Sequence, residues 1–134
     1  MVELSTGPLR PQRALDIVSK PEHGGVVLFL GTVRASSRGR KVLRLEYEAY
    51  SPMAEKRLRE IEEEMRSRWG PLEVSILQRL GSVKAGEIGV AIAVSAPGRR
   101  QAFAACRFAI DQVKKSVPLW KKEIFADGGE WARN

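Results

Sequence analysis

Residues 88–114, IGVAIAVSAPGRRQAFAACRFAIDQVK, carry the clearest structural pattern of this 134-residue chain. The segment begins with an alternation of large apolar and small residues, which is typical of a β-strand. Pro97 and Gly98 end the strand, and from Arg99 to Ser116 apolar residues recur every three or four positions, which predicts a helix. One face of the strand carries only small residues: Gly89, Ala91, Ala93 and Ser95. Such a face allows another element, most simply a helix, to approach closely.

The predicted helix has an apolar stripe that should face the core. Its members are Phe103, Cys106, Ile110, Val113 and Val117. Cys106 is therefore expected to pack in the core, because a reactive thiol needs a base or a positive environment to hold its thiolate. The single histidine, His23, precedes a glycine pair in a predicted loop and is expected at the surface.

The remaining segments extend this pattern in both directions. They predict a short helix over 11–20, strands over 26–34 and 42–50, a long helix over 51–69, a strand over 72–80 and an extended tail over 119–134. Adjacent strand pairs with short links indicate an α+β domain with a largely antiparallel sheet, two long helices and a short N-terminal helix. The length suits one domain over 1–134.

Three of these segments carry more detailed expectations. The apolar run 26–30 predicts a strand that is buried on both faces, and antiparallel to 42–50 across a mobile basic loop at 35–41. The buried face of 42–50 is predicted to consist of Leu43, Leu45, Tyr47 and Ala49. The tail is expected to be ordered, because Trp120, Phe125 and Trp131 would otherwise be exposed.

Composition excludes several classes of chemistry. One cysteine and one histidine rule out an intramolecular disulfide, a cysteine-based zinc site and a multi-histidine metal centre. No Walker loop and no Gly-x-Gly-x-x-Gly pattern after a strand is present, so we predict no metal and no cofactor. No apolar run is long enough to span a membrane and no secretory signal is visible, which makes the cytoplasm the expected location.

The charge balance points to an anionic partner. The chain has 23 Lys and Arg against 16 Asp and Glu, a net charge of +7, with clusters at 34–41 and 114–122. Such an excess favours nucleic acid, an acidic protein or a phosphorylated small molecule, without choosing among them. Glu46 and Glu48 share a strand face and could form an acid–base pair, although exposed strand faces often carry such residues.

Several basic residues form a candidate anion site. Arg34 follows the first strand, while Arg99 and Arg100 begin a helix, where backbone N–H groups favour an anion. Lys114 lies at the end of the same helix. Lys121 lies beside Trp120, in surroundings that can lower the pKa of an ammonium group. Solvated helix ends are the alternative explanation for these charges.

Five blocks of the sequence resemble, in the same order, the large catalytic subunit of molybdopterin synthase. They are GGVVLFLGTVR (24–34), LEYEAYSPMAEK (45–56), LGSVKAGE (80–87), VSAPGRRQAFAACRFAIDQVK (94–114) and PLWKKE (118–123). The resemblance spans about 24–131 and implies the α/β-hammerhead fold of that family. It implies sulfur transfer to cyclic pyranopterin monophosphate, which forms the dithiolene of molybdopterin. It also implies a small ubiquitin-like partner that delivers sulfur as a thiocarboxylate on its C-terminal Gly-Gly, and a homodimer that carries one such partner at each end, as a heterotetramer.

The resemblance also implies roles for individual residues. Lys114 matches the essential catalytic lysine and Lys121 the second active-site lysine. The implied substrate-binding positions are Thr32, Val33, Arg34, Arg99, Arg100, Lys114, Lys121, Lys122 and Glu123. Arg99 is expected to act from the neighbouring protomer, with Arg100 as an alternative occupant of that position. Gly98 stands where the family usually has histidine, and Arg133 could replace a basic residue of a longer family tail.

Two further hypotheses remain open at this point. A basic nucleic-acid-binding domain could use the 35–41 loop and the tail tryptophans to contact phosphates and bases. A structural partner could bind the ubiquitin-like protein without chemistry, as the absence of the usual histidine would allow.

Overall fold

The computed structural model describes the backbone of residues 1–133 and the side chains of residues 1–128. The helices are α1 (Pro11–Val18), α2 (Ser51–Trp69) and α3 (Arg99–Ser116). The strands are β1 (Val2–Ser5), β2 (Gly25–Thr32), β3 (Ser36–Ser37), β4 (Arg40–Ala49), β5 (Glu73–Arg79), β6 (Gly81–Lys84), β7 (Ile88–Ala96), β8 (Leu119–Phe125) and β9 (Gly128–Arg133). Among these strands only β1 and β5 pair in parallel. The predicted α+β, hammerhead-like class with a largely antiparallel sheet is confirmed.

The first sheet, in the order β1-β5-β7-β2, separates two layers of helices. Helices α2 and α3 cover one face, where Leu58 and Ile61 pack with Ile76, Ile92 and Val94 of the sheet. Helix α1 covers the other face. There Ala14 and Val18 contact the small residues of β7, so the helix predicted to approach that face is confirmed.

The second sheet forms the wall on which the candidate site is built. Strand β4 pairs with β8 along one edge and with β3 and β6 along the other. A small core lies against it, made of Val33, Val42, Leu45, Val83 and Phe125. Strands β1 and β6 were missed by the sequence analysis, since both are four residues long and too short to show an apolar alternation.

Strand β2 differs from its prediction. It lies at the edge of the first sheet and pairs with β7, not with β4, and Val26 is 52% exposed. The expectation of a strand buried on both faces and antiparallel to 42–50 is therefore wrong. The apolar run shows that the strand has two apolar faces, but it carries no information on whether a neighbouring strand covers its edge.

The face that α3 presents to the core also differs from its prediction. Phe103 is 63% exposed, although the spacing placed it on the buried stripe. The residues that face the core are mostly small: Ala102, Ala105, Cys106, Ala109 and Val113. Cys106, Val113 and Val117 of the predicted stripe are buried as expected. Alanines take the core positions next to Phe103 and Ile110, because close packing of α3 on the sheet favours small residues.

Two local features change the predicted β4 region. The segment 35–41 is a hairpin and not a loop without structure, because β3 pairs with β4 across a turn in which Arg38 and Gly39 have φ of 53° and 74°. The pairing of β4 with β8 shifts register between Val42 and Arg44. This irregularity buries Val42 and leaves Leu43 43% exposed. The predicted face is therefore wrong at Leu43, whereas Leu45 is buried as predicted.

The tail forms the hairpin β8–β9, so an ordered tail is confirmed as far as Arg133. Phe125 is buried, whereas Trp120 is 44% exposed. The predictions for the side chains of Trp131 and Arg133 fall outside the described residues. No helix in the described part of the chain has the length and apolarity needed to cross a membrane.

Candidate active site

A cavity of about 110 Å³ lies where β2, β4, β8 and the end of α3 meet. Three cationic side chains line it: Arg34, Lys114 and Lys121. Thr32, Val33, Tyr47 and Glu123 contribute to the same walls. We call this space the cationic cavity.

Arg34 is held in place by the backbone that precedes it. Val33 is buried, its N–H donates to the Glu87 carbonyl at 2.9 Å, and its carbonyl accepts from the Gly86 N–H at 2.7 Å. These contacts fix the chain between β2 and the turn after β6. The backbone that carries Arg34 is therefore held in place, although the Arg34 side chain is exposed.

The two lysines come from different elements that a short connection brings together. Lys114 lies in the last turn of α3, next to Val113, which is buried in the main core. Lys121 lies on β8 directly opposite Tyr47 of β4. Pro118 cannot continue the helix, and β8 begins at the next residue, Leu119. Both ammonium groups therefore reach the same cavity.

The electrostatics of the cavity favour an anion. Partial burial lowers the pKa of Lys114, and the positive charges of Lys121 and Arg34 lower it further. None of these three groups forms a salt bridge with a carboxylate in the described part of the chain. Bringing like charges together costs free energy, which a bound phosphate or carboxylate would offset.

Glu123 is the acidic group of the cavity. It is buried, and a carboxylate oxygen lies 3.6 Å from the Arg38 guanidinium. Arg38 and Arg40 also lie over the ring of Phe125, at 5.9 Å and 3.7 Å from its centre. These contacts hold the β3–β4 hairpin against β8, so the hairpin forms one side of the cavity.

A narrower space of about 50 Å³ adjoins the cationic cavity. The two share Thr32, Tyr47 and Lys114. The other lining residues carry no charge: Gly31, Gln78, Gly89, Val90, Ile110 and Val113. We call this space the glycine slot, because Gly31 and Gly89 leave parts of its wall without side chains.

Arg99 and Arg100 lie away from both spaces. They border an open groove at the N-terminus of α3 together with Gly98, Gln101 and Phe103, which we call the arginine groove. Arg99 and Lys114 are near opposite ends of α3, about 22 Å apart along a regular helix. Within one chain, the predicted arginine pair does not join the cationic cavity.

Lys122 also lies apart from its predicted neighbours. Successive side chains of a strand point to opposite faces, and Lys121 and Glu123 line the cavity while Lys122 does not. The structure therefore brings together six of the predicted positions: Thr32, Val33, Arg34, Lys114, Lys121 and Glu123. It does not bring Arg99, Arg100 or Lys122 to the same cavity of this chain.

The other candidate residues have structural positions. Cys106 is buried and burial raises its pKa to about 11, so its predicted core role is confirmed. His23 is not a free surface residue, since its Nδ1 lies 2.7 Å from the hydroxyl of buried Ser95. Glu46 is 3.8 Å from Arg44, and neither Glu46 nor Glu48 lines the cavities described above.

Tyr47 and Gln78 line the site but were not predicted to do so. The alternation in 42–50 predicts that Tyr47 lies on the buried face of its strand, where an aromatic residue is expected to pack in the core. Its alternation carried no information that this face ends at a cavity. Gln78 lies on β5 and is buried, and a single polar residue within a strand gave no signal of a site.

Comparison with known proteins agrees with this geometry. The MoaE protein family matches residues 4–116. The molybdopterin synthase catalytic subunit of Staphylococcus carnosus is 46% identical over 129 residues, which cover 96% of this chain and 86% of that protein. The crystal structure of molybdopterin synthase from Staphylococcus aureus superposes with a TM-score of 0.94 at 40% identity, covering 98% of this chain and 96% of that one.

A more distant structure has the same fold. It is the complex of subunits 1 and 2 of molybdopterin-converting factor from Helicobacter pylori, with a TM-score of 0.78 at 16% identity. The match covers 99% of this chain and 90% of that one. The family match, the identity to curated relatives and the shared fold lead to one conclusion: the chain belongs to the MoaE protein family.

Proposed function

We propose that this chain is the catalytic subunit of a molybdopterin synthase. It transfers sulfur from the C-terminal thiocarboxylate of a small ubiquitin-like partner to cyclic pyranopterin monophosphate. The observation that carries the proposal is the convergence of Arg34, Lys114 and Lys121 on one cavity without a carboxylate partner for any of them in the described residues. The names of the relatives and the two-subunit complex from H. pylori support it.

The reaction explains why the chain carries no nucleophile of its own in this site. In each transfer the partner's thiocarboxylate becomes a carboxylate, and the pterin gains the sulfur and gives up one oxygen. The pterin side chain undergoes two such exchanges to become a dithiolene. The nucleophilic sulfur comes with the partner, so this chain has to bind anions, hold the pterin and move protons.

The cavity residues suit these tasks. Arg34, supported by the backbone of Thr32 and Val33, offers a forked donor for the substrate phosphate. Lys114 stabilises the thiocarboxylate and the charge that develops during attack. Lys121 protonates the departing oxygen or holds the pterin. Glu123 keeps the β3–β4 hairpin in position through Arg38, and we assign Lys122 a supporting contact from the outer face of β8.

We further propose that the working unit is a homodimer in which Arg99, and secondarily Arg100, completes the site of the other protomer. The separation of the arginine groove from the cationic cavity supports this arrangement. The exposed apolar side chains of Val26 and Phe103 support it as well. Edge strands and exposed aromatic residues are common places for association between chains.

Mixing two inactive variants tests the shared site. If Arg99 acts across the dimer, a mixed dimer of Arg99→Ala and Lys114→Ala has one site with both defects and one site with none. Random mixing should then restore about one quarter of the wild-type activity per protomer. If Arg99 acts within its own chain, every site keeps a defect and mixing restores nothing.

A conversion assay tests the central proposal. The purified chain, the thiocarboxylated partner and the cyclic pterin precursor should together yield molybdopterin, and omission of any one should abolish the product. Binding of the partner without product would favour a non-catalytic binder. Salt-sensitive oligonucleotide binding without partner binding would favour a nucleic-acid-binding domain. Detection of the product-forming complex in the cytoplasmic fraction would test the proposed location.

A further inference from the structure

The phenol of Tyr47 lies at the boundary between the cationic cavity and the glycine slot. Tyr47 borders both spaces, and its ring packs against the small core of the second sheet. Its hydroxyl lies over Gly89, where a β-carbon would be 3.3 Å from the phenol oxygen. Any larger residue at that position would crowd the hydroxyl, so Gly89 makes room for Tyr47.

The Tyr47 hydroxyl is available to a ligand. It forms no hydrogen bond with any group in the described part of the chain. Burial raises the pKa of Tyr47 above its ordinary value of 10.0, and the charge of Glu123 raises it further. The phenol is therefore a neutral O–H donor at physiological pH. A half-buried hydroxyl that donates to no group of its own chain is stabilised when a ligand supplies an acceptor.

The two spaces suit different parts of the reactants. The cationic cavity, with Arg34, Lys114 and Lys121, suits a phosphate. The glycine slot is narrow and, apart from Lys114, is lined by uncharged residues. The bare backbone of Gly31 and Gly89 allows the extended backbone of a terminal Gly-Gly segment to approach closely. The end of such a segment would reach the boundary between the two spaces, where it meets Tyr47 and Lys114.

We propose that Tyr47 binds the partner's C-terminal thiocarboxylate, by donating a hydrogen bond from its phenol to the oxygen of that group while Lys114 offsets its charge. The sulfur is then left free to face the pterin in the cationic cavity. This inference rests on the proposed function, because the sulfur-transfer reaction is what brings a thiocarboxylate to the site. Gly89 has a supporting role, as it keeps the hydroxyl at the boundary.

The test is the substitution Tyr47→Phe, which removes the hydroxyl and keeps the ring. The KM for the thiocarboxylated partner should rise about ten- to a hundredfold, the value of one hydrogen bond to a charged group. The KM for the pterin precursor should stay within about twofold of wild type. The matched control is Tyr50→Phe, since Tyr50 is 61% exposed and lies just beyond the same strand. An unchanged KM for the partner, or a rise confined to the pterin, would overturn the inference.

A second variant and a binding assay separate the possible failures. Gly89→Ala keeps the hydroxyl but displaces it, so it should raise the KM for the partner in the same direction. Calorimetry with the partner in its ordinary carboxylate form should show the same loss of affinity for Tyr47→Phe without turnover. If wild type makes no molybdopterin, the proposed function fails. If wild type is active and Tyr47→Phe binds and reacts like it, only the role of Tyr47 fails.

Discussion

Gly25, the first residue of β2, lies directly against Arg99, the first residue of α3. A β-carbon on Gly25 would be 3.0 Å from the Arg99 Cα and 3.1 Å from its backbone nitrogen. The contact joins two sequence blocks that are far apart in the chain. It fixes the start of α3, and with it the arginine groove, over the edge strand of the first sheet.

Gly25→Ala should therefore destabilise the fold. The atoms that the new methyl group meets belong to the backbone, which cannot rotate away, so the variant should lose about 1–3 kcal/mol of unfolding free energy. Urea denaturation measures the loss. Gly7→Ala is the matched control, because its nearest neighbour would be a Ser5 oxygen at 3.9 Å. Equal stability of the two variants would contradict the tight contact.

Lys114→Met should remove most of the sulfur-transfer activity. The substitution keeps the length of the side chain but takes away its charge and its proton, so we expect the kcat to fall by about a hundredfold or more. Lys115→Met is the control, since Lys115 is an exposed neighbour in the same last turn and does not line the cavity. The conversion assay measures both. Comparable losses in the two variants would argue against a specific role for Lys114.

The same Lys114→Met variant should be more stable than wild type near neutral pH. Burial, Lys121 and Arg34 lower the pKa of Lys114 in the folded chain, so holding its proton there costs free energy. As pH rises between the lowered pKa and the ordinary value of 10.5, the folded form loses the proton first and wild-type stability increases. The stability advantage of the variant should shrink over that window. Thermal melts across a pH series measure this difference in stability. A stability advantage of Lys114→Met that grew with pH would contradict a lowered pKa of Lys114.

The sequence predicted most of the helices and strands, but not in every case which of them pack or pair with each other. The helix starts at Ser51 and Arg99 were read correctly, because proline and glycine mark those boundaries locally. The edge position of β2 and the exposure of Phe103 depend on which elements pack together, and local periodicity does not contain that information. Val26 and Phe103 look like core residues in the sequence because they are apolar.

The candidate site was predictable to a similar degree. Arg34, Lys114 and Lys121 were identified from their charge, their positions at element ends and the family resemblance. Tyr47 was not, because its position at the site depends on the register that places it opposite Lys121 and on the glycine beneath its hydroxyl. Such a relationship arises from three strands that are distant in sequence.

Phe103→Glu should weaken the proposed homodimer. Phe103 is 63% exposed beside the arginine groove, and a carboxylate there would lose its hydration on association. The sedimentation coefficient should shift toward that of a monomer at concentrations where wild type is a dimer. Met53→Glu is the control, since Met53 is 58% exposed on a different helix. A dimer that persisted in the Phe103 variant would place the interface elsewhere.

Gly98→His should strengthen binding of the pterin precursor. Gly98 has φ of −128°, which any residue adopts, and its added β-carbon would meet only the end of the flexible Gln101 side chain, at 2.9 Å. The variant should therefore fold like wild type. A histidine there supplies the residue that the family resemblance implies at this position. When protonated it adds a cation beside Arg99, which we propose reaches the site of the other protomer. Because an exposed imidazole has an ordinary pKa of about 6.5, the KM for the precursor should fall most below that pH. The control is Gly98→Gln, which adds a polar side chain without a titrating group. A KM that is independent of pH and equal in both variants would show that the missing histidine does not limit substrate binding.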